Sequence, residues 1–198
     1  MRTVMMKKKT CCMLVFLCIA LLLAGCGGSP AAAPEEEIAP AEDLLTPVIG
    51  ARTLEDGRKV GGSAKAEIGE TITNVFFSFS VNHAALVDEY SGEKAERGFL
   101  FLVTEITVTN TSEEELPMWD SDFAVQWGDG ENDYSYPYTR FADTQMEDAF
   151  TLAPQETLTA DVVYEILLQE GENEYSISYL EYYDDEVEGN IFYVQFTI

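Results

Sequence analysis

An antiparallel β-sandwich of about seven strands is the fold this sequence predicts, on three observations. Apolar residues recur with a period of two in seven separate runs, and Gly, Asn, Asp and Pro interrupt those runs at short intervals. Almost no stretch carries the 3.6-residue period of an amphipathic helix. The Cys-Trp-Cys core of true antibody domains is missing, so the pattern specifies the architecture alone.

The first element is not part of that sandwich. Arg2 and Lys7-Lys8-Lys9 precede a nearly unbroken apolar stretch of 14 residues, 11–24, which ends in Leu23-Ala24-Gly25-Cys26. This is the form of a lipoprotein signal, in which the cysteine thiol receives a diacylglyceryl group and a peptidase then cuts between Gly25 and Cys26. A spanning helix needs about 20 apolar residues, so a signal peptide over residues 1–25 is the better reading. Ordinary secretion, with cleavage near Ala31-Ala32-Ala33, would instead discard Cys26. Two acyl chains on one residue anchor stably, since each buried CH₂ contributes about 0.8 kcal/mol. The expected location is the outer face of the cell membrane, with the lipid on Cys26 as the membrane contact.

All four cysteines, at 11, 12, 18 and 26, lie in or at the end of this signal. The domain beyond it has no thiol for a disulfide, for nucleophilic catalysis or for zinc, and its core alone must stabilise it. The chain from Cys26 has 173 residues, enough for one domain with a sizeable core. It holds seven basic residues against 36 acidic ones, a formal charge of −29. That charge disfavours nucleic acid and anionic lipid surfaces as partners, and leaves cations and basic partners open. A solvated acidic surface that keeps the protein soluble, or a trait of the source proteome, is the preferred account of it.

Residues 26–63 read as the lipidated cysteine plus a flexible acidic linker, rich in Gly, Ser, Pro, Ala and Glu around Glu35-Glu36-Glu37. Within it, 44–63 is mixed in composition and is expected to hold a turn of helix or to be irregular. If residues 27–61 are all flexible, their root-mean-square reach is about 30–35 Å, which would stand the domain off the membrane.

The strands occupy residues 64–198. Phe77, Phe79 and Val81 alternate with Ser78, Ser80 and Asn82. Residues 99–109 are the strongest element, with Leu100, Leu102, Ile106 and Val108 on one face and Phe99 and Phe101 on the other, as in a central strand. Phe123, Val125 and Trp127 lead into Gly128-Asp129-Gly130, after which Tyr134, Tyr136 and Tyr138 alternate, so this segment reads as a hairpin. Leu158, Ala160, Val162, Tyr164 and Ile166 follow Ala153-Pro154. Tyr175, Ile177 and Tyr179, then Phe192, Val194, Phe196 and Ile198, complete the set.

Ile68-Gly69-Glu70-Thr71, the segment 76–87, Gly98-Phe99-Leu100-Phe101-Leu102-Val103, Ile106-Thr107-Val108-Thr109-Asn110-Thr111-Ser112 and Thr151-Leu152-Ala153-Pro154 together resemble the telokin-like domain of Gram-positive lipoproteins. That domain is similar to the mycobacterial immunoprotective extracellular protein. The resemblance covers about residues 65–198 and implies an immunoglobulin-like sandwich of unknown function, with no catalytic residues to carry over. Its most specific part is the strand that ends in Val-Thr-Asn-Thr-Ser and enters a turn at the Asn. The sequence departs from the family after Leu152-Ala153-Pro154, where a Gly is expected and Gln155 stands.

Candidate sites are few. His83, the only histidine, falls at the end of a predicted strand, and no Gly-x-Ser-x-Gly turn, His-Glu-x-x-His motif or Walker loop accompanies it, so it reads as a surface residue and the chain as no enzyme. Asp129, Glu131 and Asp133 alternate in a turn near Asp120 and Asp122, an oxygen-rich set of the kind that holds Ca²⁺, although Tyr134 stands where an EF-hand needs Gly. Asp184-Asp185-Glu186 with Glu188 is a weaker set of the same kind. An acidic hairpin tip exposed to water is the preferred explanation of both, and no cofactor is required. Ten tyrosines, including Tyr182-Tyr183, offer an aromatic surface, but tyrosine is also a favoured strand residue. The function these features favour is a non-catalytic, lipid-anchored module that binds a protein or small ligand. A calcium-dependent adhesion or sensing module and an envelope hydrolase are the alternatives.

Overall fold

The computed structural model describes residues 45–128, 133–167, 173–183, 185 and 187–198. The lipobox with Gly25 and Cys26 lies outside them. Along the chain run β1 (Arg52–Thr53), β2 (Lys59–Val60), β3 (Ser63–Glu67), β4 (Ile72–Thr73) and β5 (Phe77–Val87). Next come β6 (Glu89–Tyr90), β7 (Glu93–Lys94), β8 (Phe99–Asn110), β9 (Leu116–Trp119) and β10 (Ala124–Gln126). The series closes with β11 (Tyr134–Ser135), β12 (Ala149–Leu152), β13 (Thr157–Leu167), β14 (Glu174–Tyr182) and β15 (Glu188–Thr197).

Two sheets face each other as a β-sandwich. One has the order β11-β10-β14-β15-β3 and the other β13-β8-β5-β4. The pairs β1–β2, β6–β7 and β9–β12 form separate ribbons. Phe77, Phe79 and Val81 of β5 and Leu102, Ile106 and Val108 of β8 are buried against Ile177, Tyr179, Phe192 and Val194 of the opposite sheet. The Phe77 and Tyr179 rings meet edge to face at 4.6 Å, and Phe79 lies 5.5 Å from Phe123. Such aromatic pairs add about 0.5–1.5 kcal/mol to the area they bury. β8 is the central strand expected of residues 99–109, flanked along its length by β13 and β5.

Three features differ from the sequence reading. The sandwich is antiparallel except at its edge, where β3 pairs parallel to β15 with Ile191 opposite Ser63 and Val194 opposite Ala66. A period-2 pattern carries no strand direction, so this could not be read from residues 63–67. β5 shifts register between Val81 and His83, leaving Asn82 as the extra residue of a bulge; His83 therefore sits exposed in mid-strand and not at a strand end. Residues 45–63, read as linker, belong to the fold. Val60 is fully buried, Val48 packs on the core, and Ile49 bridges Ser63 through two backbone hydrogen bonds of 2.8 and 2.9 Å.

The turn before β13 explains the anomalous Gln155. Its φ is +64°, the left-handed region that a residue with a Cβ enters at a cost of about 1–2 kcal/mol and Gly enters freely. Gln155→Gly is expected to raise unfolding stability by about 0.5–1 kcal/mol, after the greater flexibility of Gly in the unfolded chain offsets part of the gain. Urea melts of the two proteins check this.

Candidate functional site

β13 is the outer strand of the four-stranded sheet, so one row of its backbone groups points away from β8. Asp161 uses that row: its N–H donates to the Thr144 carbonyl (3.0 Å) and its carbonyl accepts the Met146 N–H (2.8 Å). Two residues on, the Val163 carbonyl accepts the Tyr138 N–H (2.6 Å). The segment 138–146 is thus strapped along the edge, with Gln145 bridged in parallel to Asp161. Gln145 is buried and organises the strap, its side-chain oxygen accepting the N–H groups of Phe141 and Ala142 (both 2.9 Å). Phe101 points away from the core, yet it is fully buried because Tyr138 and Phe141 cover it at 5.5 and 5.9 Å.

Below Asp161 the strap ends. Because residues two apart in a strand present their backbone to the same side, the N–H and carbonyl of Thr157 and Thr159 face the same edge as those of Asp161. Among the described residues no strand pairs with them there. An open groove of about 480 Å³ runs between this stretch and residues 143–152. Met146, Phe150, Leu152 and Leu158 supply its apolar lining. Glu105, Asp143, Glu147, Glu156 and Asp161 supply carboxylates, against a single cation, Arg140. The Arg140 Nε donates to the Gln145 carbonyl (3.2 Å). The Tyr90 hydroxyl donates to Asp161 (2.6 Å) and meets the Thr144 hydroxyl at 2.6 Å, and burial followed by the Asp161 contact pushes its pKa up. Unpaired backbone groups, a greasy lining and a negative rim are what an extended ligand needs for attachment to a sheet edge.

The residues singled out in the sequence lie elsewhere. Asp120 and Asp122 form a 3₁₀ turn after β9, and Asp122 accepts the Trp119 N–H (2.9 Å). Burial pushes both carboxyls above the usual aspartate range. Asp133 stands at the base of the β10–β11 hairpin, where its carbonyl accepts the Trp127 N–H (2.9 Å). Among the described residues no three acidic, cysteine or histidine side chains form a group that could hold a metal; Asp129 and Glu131 lie outside them. Asp184 and Glu186 are also outside, while Asp185 is paired bidentately with Arg58 (3.0 and 2.5 Å) and Glu188 opens β15 opposite Tyr182. The tyrosines divide between core and surface. Tyr164, Tyr175 and Tyr179 are buried, and Tyr134, Tyr136 and Tyr182 are more than half exposed.

One end of the sandwich holds a buried carboxylate that the sequence reading passed over. Glu181 is 1 % exposed and accepts both the backbone and side-chain N–H of Asn190 (2.9 and 2.8 Å). Asn190 in turn donates to the Lys59 carbonyl (2.8 Å) and accepts the Gly62 N–H (3.0 Å), tying β14 and β15 to the strands at the start of the domain. The signal was present: Tyr175, Ile177 and Tyr179 place residue 181 on the core-facing side of the strand.

No helix among the described residues is long and apolar enough to cross a membrane. No curated protein matches the sequence. Solved structures offer likeness at low identity. A candidate lipoprotein (ycdA) from Bacillus subtilis is 14% identical with a TM-score of 0.48; the match covers 65% of this chain but only 38% of that one. The yjhA protein from Bacillus subtilis is 17% identical over 65% of this chain and 98% of that one, with a TM-score of 0.44. An uncharacterized β-sandwich protein from Clostridium difficile is 14% identical over 74% of this chain and 100% of that one, with a TM-score of 0.42. A family model matches residues 66–194, nearly the whole sandwich, and by that match the chain belongs to the domain of unknown function DUF4352.

Proposed function

We propose that this protein is a non-catalytic lipoprotein, held on the outer face of the cytoplasmic membrane by lipid on Cys26, that acts as an interaction module. Its kinship with the telokin-like domain of Gram-positive lipoproteins belongs to the same proposal and rests on the strand ending in Val108-Thr109-Asn110-Thr111-Ser112. The observation that carries the interaction half is the open edge of β13 beside a groove with an apolar lining and an acidic rim. A protein partner entering this groove gains main-chain hydrogen bonds without any rearrangement of the sheets. The anchoring half is supported by Leu23-Ala24-Gly25-Cys26 at the end of the apolar stretch.

Two experiments in intact cells test the halves separately. Cys26→Ser is expected to abolish acyl labelling and to move the protein from the membrane to the soluble fraction; labelling that persists contradicts the anchor. A photo-cross-linking residue in place of Thr159 is expected to give a discrete adduct that the same residue in place of Lys65, on the other sheet, does not give. Equal adducts at both positions, or none at 159, contradict the groove.

A further inference from the structure

We infer that the groove beside β13 takes a short extended segment of a cationic polypeptide, three to four residues long, laid along Thr157 to Ala160. The inference rests on the groove being the binding site and names the chemistry of what enters it. Length follows from the edge itself. The strap occupies it at Asp161 and the chain turns away before Thr157, which leaves four residues, or about 13 Å of strand. Small rigid ligands have no use for the outward N–H and carbonyl of Thr157 and Thr159, whereas an extended backbone matches both in spacing and polarity.

Side-chain preference follows from the two faces of the sheet. A strand added here alternates its side chains between the core side and the outer side. On the core side they meet Met146, Phe150, Leu152 and Leu158, so apolar residues fit. On the outer side stand Glu105 and its cross-strand partner Asp161. Asp143 on the strap and Glu147 just after it are exposed and have no side-chain partner among the described residues. Five carboxylates against Arg140, in a chain that bears −29 from Cys26 onward, select lysine or arginine and repel an acidic segment. Long basic side chains also lay their methylenes on the apolar lining while their charges reach the rim.

The test titrates the ¹⁵N-labelled full chain in detergent with a capped Lys-Val-Lys-Val peptide and reads amide shifts. Saturable shifts at Thr157 and Thr159, weakened about fivefold or more between 50 and 500 mM salt and absent with capped Glu-Val-Glu-Val, are the expected result. Thr159→Pro removes an edge N–H that no strand uses and is expected to abolish the shifts with the fold intact. Asp143→Lys with Glu147→Lys changes only exposed residues and leaves Glu105, Glu156 and Asp161 against Arg140 and the two new lysines, so the lysine peptide is expected to lose its advantage over the glutamate peptide. Equal binding of the two peptides to the unsubstituted chain, a lysine preference that the double substitution leaves unchanged, shifts that survive Thr159→Pro, or no shifts at millimolar peptide overturns the inference. If the lysine peptide fails while the cross-linker at 159 still gives its adduct in cells, the cationic occupant is wrong and the groove stands. If both fail, the groove falls with it.

Discussion

Replacing Asn110 with Ala is expected to lower unfolding stability by about 3 kcal/mol, or the melting temperature by about 10 °C for a domain of this size. Asn110 is fully buried at the end of β8 and uses every polar atom it has. Its side-chain amide donates to the carbonyls of Glu114 (2.7 Å) and Leu152 (3.0 Å), and its oxygen accepts the Ser112 N–H and hydroxyl (2.9 and 2.8 Å). Its backbone N–H donates to the Glu156 carbonyl and its carbonyl accepts the Gln155 N–H, both at 3.0 Å. One side chain therefore closes the turn after β8 and fixes the turn between β12 and β13. Removing it strands the buried Leu152 carbonyl and takes both acceptor bonds from Ser112, while the Glu114 carbonyl keeps only the Ser112 hydroxyl (3.0 Å); a buried polar group left without a partner costs about 1–3 kcal/mol. Asn110→Asp does not rescue, because a carboxylate cannot donate to either carbonyl. A urea titration that gives a loss below 1 kcal/mol would contradict this role.

Gly189→Ala is expected to cost about 2–3 kcal/mol at the other end of the sandwich. A Cβ at 189 would lie 2.5 Å from the Glu181 Cβ, 2.8 Å from its carboxylate oxygen and 2.9 Å from the Tyr183 ring. None of these can yield cheaply. The Glu181 carboxylate is held by Asn190, and Tyr183 is stacked against the Arg58 guanidinium at 4.7 Å. Burial is the main influence on Glu181 and pushes its carboxyl up; the hydrogen bonds from Asn190 and Val75 and the Tyr183 hydroxyl pull in the other direction but less strongly. A raised folded value means that the native state takes up this proton before the unfolded chain does. The contribution to stability therefore grows as pH falls from neutral through the folded value, and levels off below the unfolded one. Asp120 and Asp122 act in the same sense. Asp56 and Asp185, held low by Arg58, act in the opposite sense only below the ordinary aspartate value of 3.8. The melting temperature is accordingly expected to rise as pH falls toward the ordinary carboxyl values of 4.5 and 3.8 and to turn down in stronger acid. A steady fall from pH 8 downward would contradict the burial of these carboxyls.

The core was legible because it obeys a local rule. Phe77, Phe79, Val81, Ile106 and Val108 are buried where alternation puts them, and each belongs to a strand whose neighbours bury the same face. Asn110 was legible in part: its place at a strand end entering a turn is local, but the Leu152 and Glu156 carbonyls it engages are brought by chain some forty residues away. The groove was not legible. It exists because residues 138–146, which have no alternation, cross the outer face of β8 and stop one step short of Thr159, and nothing in the local pattern of either segment announces that meeting. Phe101 and Gln145 are buried for the same reason. Glu181 was missed for a different one, since its parity marked it as inward while its chemistry marked it as outward. The parallel pairing of β3 depends on which edge is free when the sheet closes, a property of the assembled fold.

Amide hydrogen exchange of the ¹⁵N-labelled full chain, measured residue by residue along β13, tests most directly whether this domain carries an open edge for a partner. The Asp161 amide, bonded to the Thr144 carbonyl, is expected to exchange slowly, while the Thr157 and Thr159 amides exchange at close to the rate of free peptides. Slow exchange at Thr159, matching that of the amides facing β8, would mean that the edge is already covered, and the interaction site would have to be sought elsewhere.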